Sequence, residues 1–266
     1  MPEGDTIWKT ATTLERALAG RALIAFEATV ALRRRPPVGI TVRDVEARGK
    51  HLLIWFDDDT ALHTHMQMNG SWHVYRSGDR WQRPTGAMRV RVVTREVEAV
   101  CFSAPVVEML TDAEVRRHPR LSQLGPDLTS PAPDTAAAAR RLAGLGPREI
   151  GVALLDQRVA AGIGNVYKSE VLFACGVNPF APVSSLGDET RVELLRTAAR
   201  HLRANVERTG RRSTTRSGGL AVYGRRGSPC RRCGTRIVSA RQGEQARVTY
   251  WCPTCQPSTR AQRVPS

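Results

Sequence analysis

The stretch "LLDQRVAAGIGNVYKSEVLFACG", residues 154–176, decides how the chain is read. It predicts a helical segment, a tight turn at Ala161–Asn165, and a second helix. Gly162 and Gly164 carry no Cβ, so the backbone there can approach a ligand closely. Asn165 stands where it would cap the second helix. A helix start of this kind gathers backbone N–H groups and suits an anion. An ordinary helical corner with a capping asparagine accounts for the same residues, and what lies downstream separates the two.

Downstream, "CRRC" at 230–233 and "CPTC" at 252–255 are separated by eighteen residues. This is the spacing of a four-cysteine zinc site, in which each pair offers two thiolates from one tight turn. Cys230, Cys233, Cys252 and Cys255 are therefore the expected ligands of one structural Zn2+. Paired disulfides or a redox dithiol fit less well, because nothing at the start of the chain addresses it for secretion. Such a small module is short of apolar residues, so the metal is expected to supply much of its stability. Cys101 and Cys175 stand alone and read as packing residues.

Charge points the same way. The chain has 266 residues with a formal net charge of +15 and a pI near 10.8. Such a field attracts polyanions, of which nucleic acids are the commonest. Between residues 205 and 256 there are 11 Arg against 2 Glu, so the zinc hairpin is expected to contact phosphates. Overall there are 37 Arg and only 3 Lys, namely Lys9, Lys50 and Lys168. A compact ammonium is not interchangeable with a guanidinium, so each retained lysine is a weak pointer to a site. Hydrophobic residues make up 41% and charged residues 24%, which is a globular composition. No apolar run approaches the ~18 residues of a membrane helix, so a cytoplasmic, nucleoid-associated protein is expected.

Upstream, "DTIWKTATTLERALA" (residues 5–19) places Ile7, Ala11, Leu14 and Leu18 on one helical face. "GKHLLIWFDDDTALHTHMQMNGSWHVY" reads as strand, acidic turn, strand, turn, strand, and "MRVRVVTREVEAVCFSAP" as a further strand pair. The expected fold is α+β and multidomain. Residues 2–123 form an N-terminal helix plus antiparallel β-sandwich, and the Pro-rich 124–134 a linker. Residues 135–220 form a helical domain, 221–256 a zinc finger, and 257–266 a disordered tail. The Gly/Arg/Ser/Thr stretch 209–219 reads as mobile.

Four motifs in order carry a resemblance across nearly the whole chain: "MPEGD" at the start, "RGKHLL" at 48–53, "AGIGNVYKSEVL" at 161–172, and the two cysteine pairs. Together they resemble the formamidopyrimidine-DNA glycosylase / endonuclease VIII family of base-excision repair enzymes, and more closely its endonuclease VIII branch. The resemblance implies a helix–two-turns–helix motif between sandwich and finger. It implies that Met1 is removed and that the Pro2 amine attacks C1′ of the damaged nucleotide, with Glu3 as acid/base partner. The Schiff base would then drive strand cleavage by β,δ-elimination. An α-amine has a pKa of about 8, against about 10.4 for lysine, so a usable fraction is neutral near pH 7. The resemblance also assigns Lys50, Asn165 and Arg247 to DNA phosphates, Lys50 and Arg247 beside the reacting nucleotide. Gln67, Met68 and Asn69 fill the void left by the extruded base, with Met68 as the apolar wedge; on position alone Met68 would be a core methionine.

The segment 205–222 is short and lacks the long loop that covers oxidised purines in the formamidopyrimidine branch, so the resemblance implies oxidised pyrimidines in double-stranded DNA, and abasic sites, as the expected substrates. Single-stranded or bubble DNA is a further expected partner, and the chain is expected to be a monomer. One departure is Thr6, where many family members carry Glu. Two other readings share the charge and the finger. A non-catalytic zinc-containing protein could bind damaged or bent DNA, and an unrelated zinc-ribbon factor could bind RNA.

Overall fold

The computed structural model describes residues 2–208, 214–215 and 218–258, which fall into two compact units, residues 1–123 and 124–266. In the first, α1 (Gly4–Leu18) opens the chain. Its apolar face of Ile7, Ala11, Leu14 and Leu18 is buried, each side chain no more than 5% exposed. The helix stops at Gly20, whose φ of 74° suits a residue without Cβ.

Eight strands follow. They are β1 (Ala25–Ala28), β2 (Val42–Arg48), β3 (His51–Phe56), β4 (Thr60–His65), β5 (Ser71–Arg76), β6 (Met88–Val93), β7 (Val97–Phe102) and β8 (Val106–Thr111). They form two antiparallel four-stranded sheets, ordered β1-β6-β7-β5 and β2-β3-β4-β8. One core joins both sheets to α1 through Leu52, Ile54, Phe56, Leu62, Val90, Val92, Ala99 and Cys101. All six residues of β3 are buried, which is why "HLLIWF" reads as an apolar run rather than an alternation. The short helix α2 (Asp112–Arg117) begins with a capping box between Thr111 and Glu114 and ends at His118.

The second unit contains α3 (Thr135–Ala143), α4 (Ile150–Ala153), α5 (Asn165–Ala174) and α6 (Asp188–Val206) around one core that includes Leu142, Ile150, Tyr167, Leu172, Leu195 and Leu202. The segment 124–134 differs from the expected linker. Leu128 is fully buried in this core, and the N–H groups of Gly125 and Leu128 bond to the carbonyls of Gln157 and Ala161. Pro and Asp there shape turns that lie on the helical unit instead of freeing the chain. The hairpin β9 (Val238–Gln242) and β10 (Arg247–Trp251) completes the finger. Most of the stretch expected to be mobile, and the tail from 259 onward, lie outside the described residues. Among the described residues no helix is long and apolar enough to cross a membrane.

Candidate functional site

In the first unit the chain start is built into the fold. Pro2 precedes Glu3, which is the N-cap of α1 and has 0% exposure. The Glu3 carbonyl accepts the N–H groups of Thr6 (2.9 Å) and Ile7 (3.0 Å), which fixes the backbone beside Pro2. Asp5 is buried and its Oδ1 accepts the Thr6 N–H at 2.8 Å and the Thr6 hydroxyl at 3.3 Å. Thr6 is thus held by its own helix start.

Lys50 sits in the two-residue turn between β2 and β3, where Gly49 takes φ 60° and Arg48 pairs with His51. Such a turn favours glycine at the left-handed position. The next connection, Met66–Gly70, closes through Gly70 N–H to Met66 O at 2.8 Å. A Cβ on Gly70 would stand 2.6 Å from that oxygen. The turn buries Met66 and turns Met68 outward, 53% exposed. Gln67 adopts φ 46°, a conformation costly for a residue with a Cβ. Gln67 and Asn69 are exposed as well. Because His51 of β3 is the Cα partner of His65 of β4, Lys50 and this turn share one end of the sheet.

In the second unit the glycine turn lies between α4 and α5. Gly162 has φ 105°. Gln157 staples the turn: its Nε2 donates to Leu155 O (2.9 Å) and Ile163 O (3.0 Å), and its Oε1 accepts the Gly162 N–H at 3.0 Å. The expected cap does not form. Gly164 is the N-cap and Asn165 is the first helical residue. The Asn165 Nδ2 donates instead to Val248 O on β10 at 2.8 Å, tying the turn to the hairpin. The Val248 carbonyl, 83 residues away, holds the side-chain N–H, while Oδ1, the atom a cap would use, is buried with no partner among the described residues.

The four cysteines converge, with all Sγ atoms within 4.8 Å of one another. Cys230 and Cys255 are 3.9 Å apart, and Cys233 and Cys252 3.5 Å. Four sulfurs about 2.3 Å from a central Zn2+ form a tetrahedron with edges of about 3.8 Å, so the set fits the metal. A disulfide needs about 2.05 Å, and all six cysteines are free. The Arg232 N–H points at Cys230 Sγ (3.4 Å), and the hydroxyls of Thr235 and Thr254 join the two turns at 2.8 Å. Zinc here holds together a module whose small core, Ala221, Val222 and Ile237, borrows Phe173 from α5. Cys101 is fully buried, as expected of a packing residue, whereas Cys175 is only partly so. Burial pushes both thiols up.

Two further anchors, Glu170 and Gln242, were not read from the sequence, and a third, Lys168, was marked there only as one of the three retained lysines. The Glu170 carboxylate is buried and accepts the N–H groups of Ala221 (2.7 Å), Val222 (2.8 Å) and Tyr223 (2.8 Å), with the Thr214 hydroxyl beside them. Lys168, one of the three lysines, has 0% exposure and donates to Thr249 Oγ1 at 2.6 Å. Thr249 in turn donates to Gln242 Oε1, and Gln242 Nε2 to Glu149 and to Pro179 O, each at 2.8 Å. A Cβ on Gly151 would stand too close to Gln242 Oε1, so a larger residue there would displace the Gln242 side chain from this network. Lys168, Arg148, Arg158 and Arg247 line a cleft of about 640 Å³ between the turn and the hairpin. Arg247 opens β10, its Nε 3.3 Å from Gln245 Oε1.

Comparison with known proteins agrees with this architecture. Residues 1–106 match the formamidopyrimidine-DNA glycosylase N-terminal domain, 124–217 the formamidopyrimidine-DNA glycosylase H2TH domain, and 227–257 the zinc finger found in FPG and IleRS. A probable endonuclease 8 2 of Streptomyces coelicolor is 45% identical, covering 96% of this chain and 94% of its own. The chain belongs to the formamidopyrimidine-DNA glycosylase / endonuclease VIII family. Within that family, the DNA-(apurinic or apyrimidinic site) lyase Nei2 of Mycolicibacterium smegmatis is 40% identical over 96% of this chain and 99% of its own. Endonuclease 8 of Escherichia coli is 32% identical over 96% and 100%. The formamidopyrimidine-DNA glycosylase of Lactococcus lactis, solved with abasic-site DNA, superposes with a TM-score of 0.83 at 23% identity over 97% of this chain and 100% of that one. That likeness shows the shared fold.

Proposed function

We propose that this protein is a DNA glycosylase and abasic-site lyase of base-excision repair, acting on oxidised pyrimidines in double-stranded DNA through a Schiff base at Pro2. The observation that carries the chemistry is the pairing of Pro2 with a fully buried carboxylate, Glu3, at the fixed start of α1. Once Met1 is removed, the Pro2 nitrogen attacks C1′ and the glycosidic bond breaks, the base leaving with a proton. Glu3 then gives a proton to O4′ as the C1′–O4′ bond opens, and the iminium left at C1′ acidifies C2′. Glu3 takes the C2′ proton, and the electron pair left there expels the 3′ phosphate; a second elimination expels the 5′ phosphate. Covalent catalysis divides base loss and strand scission into separate steps, and a positioned acid/base contributes about 10² to 10⁴ in rate.

Lys50 holds a phosphate beside the lesion, and Met68 takes the place of the extruded base. In the second unit Asn165 and Arg247 grip the backbone; the Asn165 amide has a second N–H beyond the one given to Val248. The same reading gives a monomer that accepts abasic sites, and single-stranded or bubble DNA, in a cytoplasmic nucleoid setting. The test is borohydride trapping on duplexes that carry an oxidised pyrimidine. A covalent protein–DNA product mapped to Pro2 supports the reading. With Met1 shown to be removed, absence of both that product and nicking sinks it and leaves a binding protein.

A further inference from the structure

At the Lys50 end of the β2-β3-β4-β8 sheet, histidines and a glutamate meet. His51 begins β3, His63 and His65 lie at the end of β4, Glu108 on β8 is the Cα partner of His63, and His118 ends α2. His51 and His63 are buried, while Glu108 keeps 43% of its side chain exposed. His118 Nδ1 accepts the backbone N–H groups of Arg120 (3.2 Å) and Leu121 (3.3 Å). With one proton on this ring, that proton sits on Nε2, which faces Glu108 Oε2 at 3.3 Å. The same oxygen lies 2.9 Å from His63 Nδ1. The His63 hydrogen bond holds the Glu108 carboxyl below its ordinary range, so near neutral pH it only accepts. His63 Nδ1 therefore donates. With a single proton on that ring, His63 Nε2 accepts, and its donor is His51 Nδ1 at 2.9 Å.

A metal ion is the competing reading, because His63, Glu108 and His118 bring ligand atoms within 4.8 Å of one another. Coordination at His118 Nε2 would move the ring proton to Nδ1, against two backbone N–H groups. The cluster is matched to hydrogen bonding.

The chain of bonds ends beside two functional elements. His51 follows Lys50, and its ring meets that of His65 edge-on with centroids 4.6 Å apart. His65 precedes the Met66–Asn69 turn, and its Nδ1 accepts the Gln67 N–H at 3.3 Å. We propose that Glu108, His63 and His51 form a hydrogen-bond chain of fixed tautomers that positions Lys50 and the Met66–Asn69 turn for damaged DNA. This rests on the reading of those two elements given above. The three are positioning residues and touch no DNA themselves.

The test combines imidazole ¹⁵N shifts of the full-length protein with binding to a duplex carrying a stable abasic-site analogue. The shifts should place protons on Nδ1 of His51 and His63 and on Nε2 of His118 at pH 7.5. His63→Leu should weaken binding about tenfold in the wild-type background, but less than about twofold once Lys50→Ala and Met68→Ala are present, because groups that act through one another are not additive. Glu108→Gln, at a half-exposed position, should show the same non-additivity with smaller amplitude. Reversed tautomers, a doubly protonated His63, or resonances displaced by equimolar Zn2+ would overturn the proposal. So would a fully additive loss, which marks a merely structural role. If Lys50→Ala and Met68→Ala weaken binding and His63→Leu does not, only this proposal falls. If those two are themselves without effect, the reading of Lys50 and Met68 falls and the proposal with it.

Discussion

Met66 and Met68 lie two residues apart in one turn and should respond to alanine in opposite ways. Met66 is 2% exposed and belongs to the sandwich core, whereas Met68 is 53% exposed. Truncating a buried methionine removes packing and leaves a cavity, so Met66→Ala should cost about 2–5 kcal/mol of stability. Truncating an exposed one should stay within about 0.5 kcal/mol. For DNA the order reverses. A side chain that replaces a stacked base is worth about 1–3 kcal/mol, the range measured for base–aromatic stacking, or roughly 5- to 150-fold in affinity. Met68→Ala should therefore lose that much affinity for abasic-analogue duplex and little for undamaged duplex. Urea unfolding and fluorescence anisotropy on the same preparations give both numbers. A Met68→Ala protein that is destabilised by more than 1 kcal/mol, or one that keeps its preference for the damaged duplex, would refute the wedge.

Other expected outcomes follow from single anchors. Glu170→Gln replaces one acceptor oxygen with a donor amide amid three backbone N–H groups and neutralises the rest, so it should cost about 3–5 kcal/mol; urea unfolding that shows under 1 kcal/mol would contradict the anchor. Cys252→Ser should lose bound zinc by atomic absorption and weaken DNA binding, because the metal holds the hairpin that carries Arg247; retained zinc would remove the proposed ligand set. Acid should destabilise the first unit. Burial pushes His51 down to about 2 and His65 to about 4, with His63, His118, Lys50 and Arg120 adding to the same shift and Glu108 opposing it at His118. Their folded values lie below an unfolded value of about 6.5, so the unfolded chain takes up more protons below that pH, and stability falls by up to about 1.4 kcal/mol per unit for each group. His65 is partly exposed, so the joint loss at pH 5 should be roughly 2–4 kcal/mol. Equal urea midpoints at pH 5 and 7.5 would rule this out.

By itself the sequence determined what short-range spacing encodes. The helical period of Ile7, Ala11, Leu14 and Leu18, the strands around "DDD" and "NG", and the four-cysteine spacing all emerged where they were read. Each is a pattern of neighbours, and neighbours in sequence remain neighbours in space. The ordered motifs marked the family for the same reason.

Only the tertiary structure decided the pairings between distant residues. Asn165 reads as a cap but gives its amide to Val248, Leu128 reads as linker but fills a core, and "HMQM" does not say which methionine faces out. Glu170 reaches 51 to 53 residues along the chain, and His63 meets Glu108 across 45. The physical reason is burial. Away from water a polar group must find a partner, and the partner is whichever group the packing brings within about 3 Å, a choice that no local pattern of residues contains.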